Sequence, residues 1–321
     1  MVQFLKNTSN ILKILIIAIM LILLDALLIE PNIFLSSPKQ LDVPNWNKNL
    51  NGFKIVLISD IHLGTRFVDM KKLDEIVKVS NNNNPDLVVI CGDLDAKAIS
   101  SKNYSTTEVA NSLKNLKSKY GVVAIMGNHD YEMANIVYDI YKQSNIKLLK
   151  DEDYFINVNN KKLRLVGLED LWFRNSDPVK VIGEIDKDIP TIVLAHNPDY
   201  FPQIPKEVSL TLSGHTHGGE IVLPFIGSFI VPSKYGNRYR NGYIVENNKH
   251  LFVSRGIATL GYGRFIAPAE INILDIYSQT KPSKNSHDIS GNNKPFEPKL
   301  INKFRNFYKS HKVELSKSPL I

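Results

Sequence analysis

Eight side chains suited to metal or phosphate chemistry occur in five short segments of this sequence. They are Asp60, His62, Asp93, Asn128, His129, His196, His215 and His217. Each segment follows a short apolar run of the kind that forms a buried strand. Open α/β sheets place their sites beyond the carboxyl ends of strands, so we expect the five segments to converge on one crevice.

The ligand types and their number predict a site for two divalent ions. Carboxylate and imidazole groups are the oxygen and nitrogen donors that Zn, Mn or Fe use, and Mg takes the oxygens. Asp60 and His62 are two residues apart, as are His215 and His217, so on an extended backbone each pair shares one face. Two such pairs and the remaining ligands are too many for one ion. Asp93, with two carboxylate oxygens, is the natural bridge between two ions.

The spacing of apolar residues predicts alternating strands and helices in the first half of the chain and mostly strands in the second. We expect helices over residues 68–80 and 104–120. The expected strands are 54–59, 87–91, 122–126, 154–158, 163–167, 191–195, 209–213, 243–245, 251–254 and 270–276. This order is typical of an α/β fold in which two sheets pack face to face with helices outside.

The combined motif over residues 52–277 resembles that of the calcineurin-type metallophosphoesterases. Its segments are Asp60-x-His62, Gly92-Asp93, Gly127-Asn128-His129, His196 and Gly214-His215-x-His217. The resemblance implies a four-layer α/β/β/α sandwich of two mixed sheets with outer helices. It also implies an enzyme that uses two divalent ions, whether Mn, Zn, Fe or Mg, to hydrolyse phosphoester bonds.

The same resemblance assigns a role to each residue. The first ion would be held by Asp60, His62, Asp93 and His217, and the second by Asp93, Asn128, His196 and His215. His129 would be the catalytic histidine that contacts phosphate, and Asp130 the acidic residue that orients it. The family's Asp or Arg three residues after the bridging Asp is Ala96 here, and Asp95 lies one residue earlier. That departure affects a contact that orients a ligand, and leaves the ligand set intact.

Segments downstream of His217 resemble a membrane-associated branch of the family. These segments are His217-Gly-Gly-Glu-Ile-Val-Leu-Pro, Pro232-Ser-Lys-Tyr-Gly, Ser254-Arg-Gly-Ile and Arg264-Phe-Ile-Ala-Pro-Ala-Glu-Ile. The branch contains bacterial phosphodiesterases and one type of UDP-2,3-diacylglucosamine pyrophosphatase of lipid A synthesis. It implies a phosphorylated, lipid-linked substrate. The alternatives are a broad phosphodiesterase or phosphatase acting on soluble or cell-envelope phosphates, and a scaffold that has lost catalysis.

Two further features bear on the substrate. Arg255 and Arg264 are candidates for gripping a second phosphate, because guanidinium groups suit phosphate oxygens, although structural arginines in a glycine-rich loop would have the same pattern. The apolar stretch 223–231 suits an amphiphilic substrate, or is ordinary core. The catalytic region carries no basic, aromatic-interleaved groove sequence, so we do not expect nucleic acid as a partner.

The N-terminus predicts a membrane anchor over residues 1–29, since an apolar run of this length approaches the ~20 residues that cross a bilayer. A cleaved signal peptide and a buried core helix are the alternatives. We expect a bacterial-type inner membrane location. Lys6 and Lys13 favour a cytoplasmic N-terminus with the domain outside, whereas a nucleotide-linked lipid is met on the cytoplasmic face, so these two expectations conflict.

The segments on either side of this domain and the single cysteine complete the sequence. Residues 30–51 contain several Pro and Asn and read as a linker. The chain has a net charge of +7, and residues 277–321 hold nine Lys or Arg against three acidic residues, which points to an acidic partner. We expect a partly disordered basic tail over 278–321, with an amphipathic helix at 299–315 that lies on a membrane or on the domain. Cys91 is the single cysteine and excludes an internal disulfide.

Overall fold

The computed structural model describes residues 2–261, 263–280 and 286–287. Its helices are α1 (Val2–Leu24), α2 (Met70–Asn82), α3 (Ala96–Ser101), α4 (Thr106–Leu113), α5 (Ala134–Gln143) and α6 (Pro178–Ile182). Its strands are β1 (Phe34–Val43), β2 (Phe53–Ile58), β3 (Leu87–Cys91), β4 (Val122–Ile125), β5 (Lys147–Leu148), β6 (Glu152–Val158), β7 (Lys161–Gly167), β8 (Thr191–Leu194), β9 (Leu210–Ser213), β10 (Val222–Leu223), β11 (Gly227–Ser228), β12 (Gly242–Glu246), β13 (Lys249–Val253), β14 (Ala269–Ser278) and β15 (Ser286–His287).

Two mixed sheets form the centre of the fold. The first has the strand order β1-β14-β2-β3-β4-β5, and the second has the order β15-β12-β13-β9-β8-β7-β6. In the first, β2, β3 and β4 are parallel neighbours; in the second, β7, β8 and β9 are. The carboxyl ends of these parallel strands therefore lie at common edges, where a site can form.

The apolar residues of the strands sort into layers. Side chains such as Leu57 and Val89 of the first sheet pack against Leu194 and Leu212 of the second. The other face of the first sheet is covered by α2, α4 and α5, and the other face of the second by α6 and short 3₁₀ turns. This arrangement confirms the predicted α/β/β/α sandwich. Helix α4 is shorter than predicted, ending at Leu113 rather than near Tyr120.

Ten of the 22 residues of the expected linker over 30–51 form a strand instead. Residues 34–43 form β1, which pairs in parallel with β14 from Phe34 opposite Ala269 to Val43 opposite Ser278. Its Pro38 lacks an N–H, but an edge strand tolerates this because one side of its backbone has no neighbour. Leu41 and Val43 are buried between the sheets. Residues 34–43 are therefore part of the first sheet.

An apolar helical segment over Asn10–Asn32 is, among the described residues, the one long and apolar enough to cross a membrane. It consists of α1, a π-helical turn at Asp25–Ile29 and a 3₁₀ turn at Glu30–Asn32. Its side chains are largely exposed. This segment suggests a membrane anchor. The amphipathic helix expected at 299–315 lies outside the described residues, and within the tail Ser286–His287 pairs with β12.

Candidate metal centre

Every predicted ligand lies just beyond a strand, where its backbone turns sharply. Asp60, Asp93 and Asn128 follow β2, β3 and β4; His196 and His215 follow β8 and β9. The two sheets thus bring the five segments to one place. Five ligands have a left-handed backbone, with φ of 52° at Asp60, 43° at His62, 58° at Asp93, 71° at His215 and 51° at His217.

This geometry corrects one expectation from the spacing. Asp60 and His62 do not share a face through an extended backbone, because both have positive φ. A non-glycine residue in the left-handed region costs of order 1–3 kcal/mol and persists where the surroundings enforce it. Here the turn brings both side chains into one cluster with His217. His215 and His217 repeat this arrangement on the opposite sheet.

Two clusters of ligand atoms lie side by side. Asp60, His62 and His217 offer ligand atoms that all lie within 4.8 Å of one another, as do Asp93, His196 and His215. Asp93 joins the two clusters, because its Oδ2 is 3.4 Å from Nε2 of His62 and 3.2 Å from Nε2 of His196. One carboxylate oxygen therefore faces both clusters, as a bridging ligand does.

The polar atoms left without partners match the donor set of two metal ions. Among the described residues, five ligand atoms are buried without a hydrogen-bond partner: Nε2 of His62, His196, His215 and His217, and Oδ1 of Asn128. Buried polar atoms are rarely unpaired, because each costs free energy comparable to a lost hydrogen bond. Two divalent ions would satisfy all five, so the residues present fit a pair of such ions.

The opposite ring nitrogen of three histidines is held in place. Nδ1 of His62 lies 3.0 Å from Oδ2 of Asp95, and Nδ1 of His196 and of His217 lie 2.7 Å and 3.0 Å from the carbonyls of Cys91 and Ala258. Such contacts fix the tautomer that leaves Nε2 free for a metal. The family's usual acidic or basic residue is absent at Ala96, which had put a contact that orients a ligand in question. Asp95 makes such a contact with His62.

The carboxylates make the centre attractive to cations. Burial disfavours a charged imidazole, but at His62 the charges of Asp93 and Asp95 outweigh burial and raise the pKa to about 10. At His196, Asp93 and Asp60 also outweigh burial, with a pKa of about 10. Burial prevails at His217, whose pKa falls to about 3. The charge of Asp93 therefore favours a cation beside both His62 and His196.

His129 and Asp130 lie next to the ligands but have different surroundings. The His129 ring is half-buried, with its centroid 4.9 Å from that of His62, and its backbone N–H donates to Oδ1 of Asp93 at 2.9 Å. The Asp130 carboxylate accepts backbone N–H groups from Gly127, Asp93 and Asp95, each at 2.9 Å. These bonds brace two ligand loops, whereas the sequence predicted that Asp130 orients the His129 imidazole.

The two arginines predicted to bind substrate differ sharply in burial and in their contacts. Arg264 is fully buried, and its guanidinium donates to Thr259 Oγ1 and to the carbonyls of His217, Ala267, Arg255 and Ala258. All five of its N–H donors are used within the protein, and none of them is directed to the phosphate that the sequence predicted Arg264 to grip. Arg255 is partly exposed, 3.6 Å from Glu270, and passes beside Gly218, next to the ligand His217.

Two contacts of the centre carry no signal in the sequence, and a third lies at a glycine of the predicted motif. The Trp172 ring meets that of His215 edge-on, with centroids 4.5 Å apart. Asp170 is buried and accepts the backbone N–H of Trp172 at 2.8 Å, which fixes that loop. Gly214 lies so close to Ser59 and Asp60 that a Cβ there would collide with both. No pattern in the sequence marks Trp172 or Asp170 as a neighbour of the candidate ligands.

Residues 53–219, which contain all the candidate ligands, match a family model described as calcineurin-like phosphoesterase. The chain is 30% identical to the metallophosphoesterase YkuE of Bacillus subtilis, over 71% of this chain and 80% of that protein. It is 28% identical to phosphodiesterase YaeI of Escherichia coli, over 72% and 84%. It is 25% identical to UDP-2,3-diacylglucosamine pyrophosphatase LpxG of Chlamydia muridarum, over 77% and 90%.

Proposed function

Because the chain belongs to the calcineurin-like phosphoesterase family, we propose that it hydrolyses the phosphodiester or pyrophosphate bond of an amphiphile in a bacterial inner membrane. UDP-2,3-diacylglucosamine, named in the LpxG relative, is the first candidate substrate. The observation that carries the proposal is that hydrogen bonds of Arg264 connect the N-terminal apolar helix to the candidate metal centre. The Arg264 N–H donates to the Ala26 carbonyl at 2.8 Å, and its guanidinium donates to the carbonyl of His217 at 3.2 Å.

The chain's residues have distinct parts in this reaction. When bound, two divalent ions supply Lewis-acid activation of water and neutralise charge on the phosphoryl oxygens. His129 lies beside the ligands and offers its imidazole to a phosphoryl or leaving oxygen, a contribution worth roughly 10²–10⁴-fold. Arg255, partly exposed beside the His217 loop, is the candidate for the second phosphate of a pyrophosphate.

A second candidate is a broad phosphodiesterase that acts on soluble or cell-envelope phosphates. It is favoured by the likeness to phosphodiesterase YaeI, which is slightly greater than the likeness to LpxG. In this case the apolar helix would determine only location. The domain would then sit outside the cytoplasm, as the Lys residues before the anchor favour.

The two candidates are separated by the substrate that the full-length protein cleaves in detergent micelles with Mn²⁺. We expect UDP-2,3-diacylglucosamine to be cleaved to UMP and a lipid monophosphate far faster than bis(4-nitrophenyl) phosphate is cleaved. His217→Ala is the blank, since it removes a metal ligand. Cleavage of the aryl ester alone would favour the broad phosphodiesterase. Failure of the metal-loaded protein to cleave either ester would overturn both candidates.

A further inference from the structure

A hairpin next to the metal centre exposes large apolar side chains. It runs over residues 221–231, with β10 and β11 as its arms, and we call it the apolar hairpin. Phe225 is 100% exposed, Ile226 57%, Phe229 63% and Ile230 67%. No charged side chain occurs between residues 221 and 233. A contiguous apolar patch of this kind marks an interaction surface, and these four side chains are not core, whereas Val231 at the end of the stretch is buried.

The apolar hairpin is tied to the end of the membrane-length helix. Its first residue, Ile221, forms a β-bridge with Phe265, and the N–H of Val222 donates to the Phe265 carbonyl at 2.9 Å. The neighbouring loop then binds the helix, because N–H groups of Ile266 and Ala267 donate to the Glu30 carboxylate at 3.0 Å and 2.7 Å. The apolar hairpin, the loop at residues 265–267 and the end of the membrane-length helix are therefore joined by hydrogen bonds.

The depth of these contacts along the helix places the hairpin near lipid. The membrane-length segment is Asn10–Asn32, and the loop next to the apolar hairpin is hydrogen-bonded to it at Ala26 and Glu30. At 1.5 Å per residue, Ala26 lies about 9 Å inside the end of that segment. A helix that crosses the bilayer over this length thus carries the loop and the apolar hairpin to the boundary between hydrocarbon and headgroups.

Two residues with a strained backbone lie in the apolar hairpin and in the loop hydrogen-bonded to it. Phe225 and Ile266 have φ of 67° and 55°, although bulky and β-branched side chains rarely adopt the left-handed conformation. The Phe225 side chain is fully exposed and that of Ile266 is half-exposed, so neither is a core residue. Ile221 and Leu260 add exposed apolar surface beside them. Strain of this kind persists only where the surrounding structure enforces it, and here it accompanies apolar side chains that face outward.

We propose that the apolar hairpin inserts into the bilayer that holds the N-terminal helix and forms a second lipid contact. Helix and hairpin together fix the tilt of the domain, because one attachment allows rotation and two do not. The hairpin begins four residues after the ligand His217, so the metal centre then lies at the lipid surface. The proposal concerns the contact with lipid and does not depend on which ester the protein cleaves.

A fluorophore on the full-length chain tests this contact. Phe225→Cys introduces a cysteine at a fully exposed position, so no packing is lost. Cys91 is buried and its thiol donates to the Leu212 carbonyl, so the native protein is labelled only at residue 225. The matched control is Phe155→Cys, a 44% exposed aromatic position on β6, at the edge of the second sheet opposite β12 and β15.

Each variant carries an environment-sensitive dye and is reconstituted as one chain per nanodisc, with spin labels on the lipid acyl chains. We expect the dye at residue 225 to shift its emission to shorter wavelength and to be quenched several-fold by the spin labels, while the dye at residue 155 changes little. Equal behaviour at both positions would overturn the proposal. A shift that requires two chains per disc, without quenching by lipid, would instead show that a second copy covers the hairpin.

Discussion

The Asp95 carboxylate lies 3.0 Å from Nδ1 of His62 and holds that ring with Nε2 toward the metal centre. Both side chains are buried, so water does not replace the contact. A carboxylate behind a ligating imidazole orients the ring and raises its basicity. Asp95 therefore has a positioning role, although it is absent from the predicted ligand set.

Replacement of Asp95 by Asn tests this role. Because partners of this kind are worth roughly 10–100-fold in metal affinity or activity, we expect Asp95→Asn to weaken binding of the ion at His62 by that factor. Activity should fall at limiting Mn²⁺ and recover at saturating Mn²⁺. Titration of activity against Mn²⁺ measures this, with the exposed Asp139→Asn as control. A loss that excess metal does not restore would exclude a role through the ligand.

His129 is expected to act on the substrate and not to hold a metal. In His129→Gln, kcat should fall by about 10²–10⁴-fold, since the imidazole is lost from the phosphoryl oxygens. The backbone N–H of residue 129 still donates to Asp93, so the bridging ligand stays in place. Metal analysis of the purified variant should find as many ions per chain as in the wild type. Loss of an ion would assign His129 to the ligand set instead.

Much of this centre could be predicted from the sequence. Asp60, Asp93 and His196 each follow a short apolar run, and that pattern alone places them at the ends of buried strands. The pattern failed at β1, because Pro38 and neighbouring serines hide a strand that is an edge strand and tolerates them. Hydrogen bonding to one neighbouring strand is enough to stabilise such an edge strand, so its composition can resemble that of a loop.

Other features depend on contacts between distant segments. The carbonyls of Cys91 and Ala258 position His196 and His217, yet any residue type has a carbonyl, so no sequence signal marks them. The saturated guanidinium of Arg264 is equally hidden, since a phosphate-binding arginine and a buried structural one look alike in sequence. The left-handed backbone at His62 also has no signature in residue type.

Arg264 should behave as a structural residue. Lysine has three donors in place of five, so Arg264→Lys leaves buried carbonyls unpaired. At about 1.5–3 kcal/mol per bond to a charged group, the loss is of order 3 kcal/mol or more, or roughly 10 °C in melting temperature. Arg255→Lys, in a partly exposed side chain, should leave the melting temperature nearly unchanged and raise KM. The reverse pattern would restore Arg264 to substrate binding.

The buried His250 gives the fold an acid sensitivity separate from the metal centre. Its ring contacts the Tyr243 hydroxyl, and burial lowers its pKa from 6.5 to about 4. Between these values the unfolded chain binds a proton that the folded chain does not, so stability is lost as pH falls from about 6.5 toward 4. In His250→Gln this loss should shrink by on the order of 1 kcal/mol at pH 5. Melting temperatures of variant and wild type at pH 7.5 and pH 5 measure the difference, and equal declines would show that His250 does not titrate on unfolding.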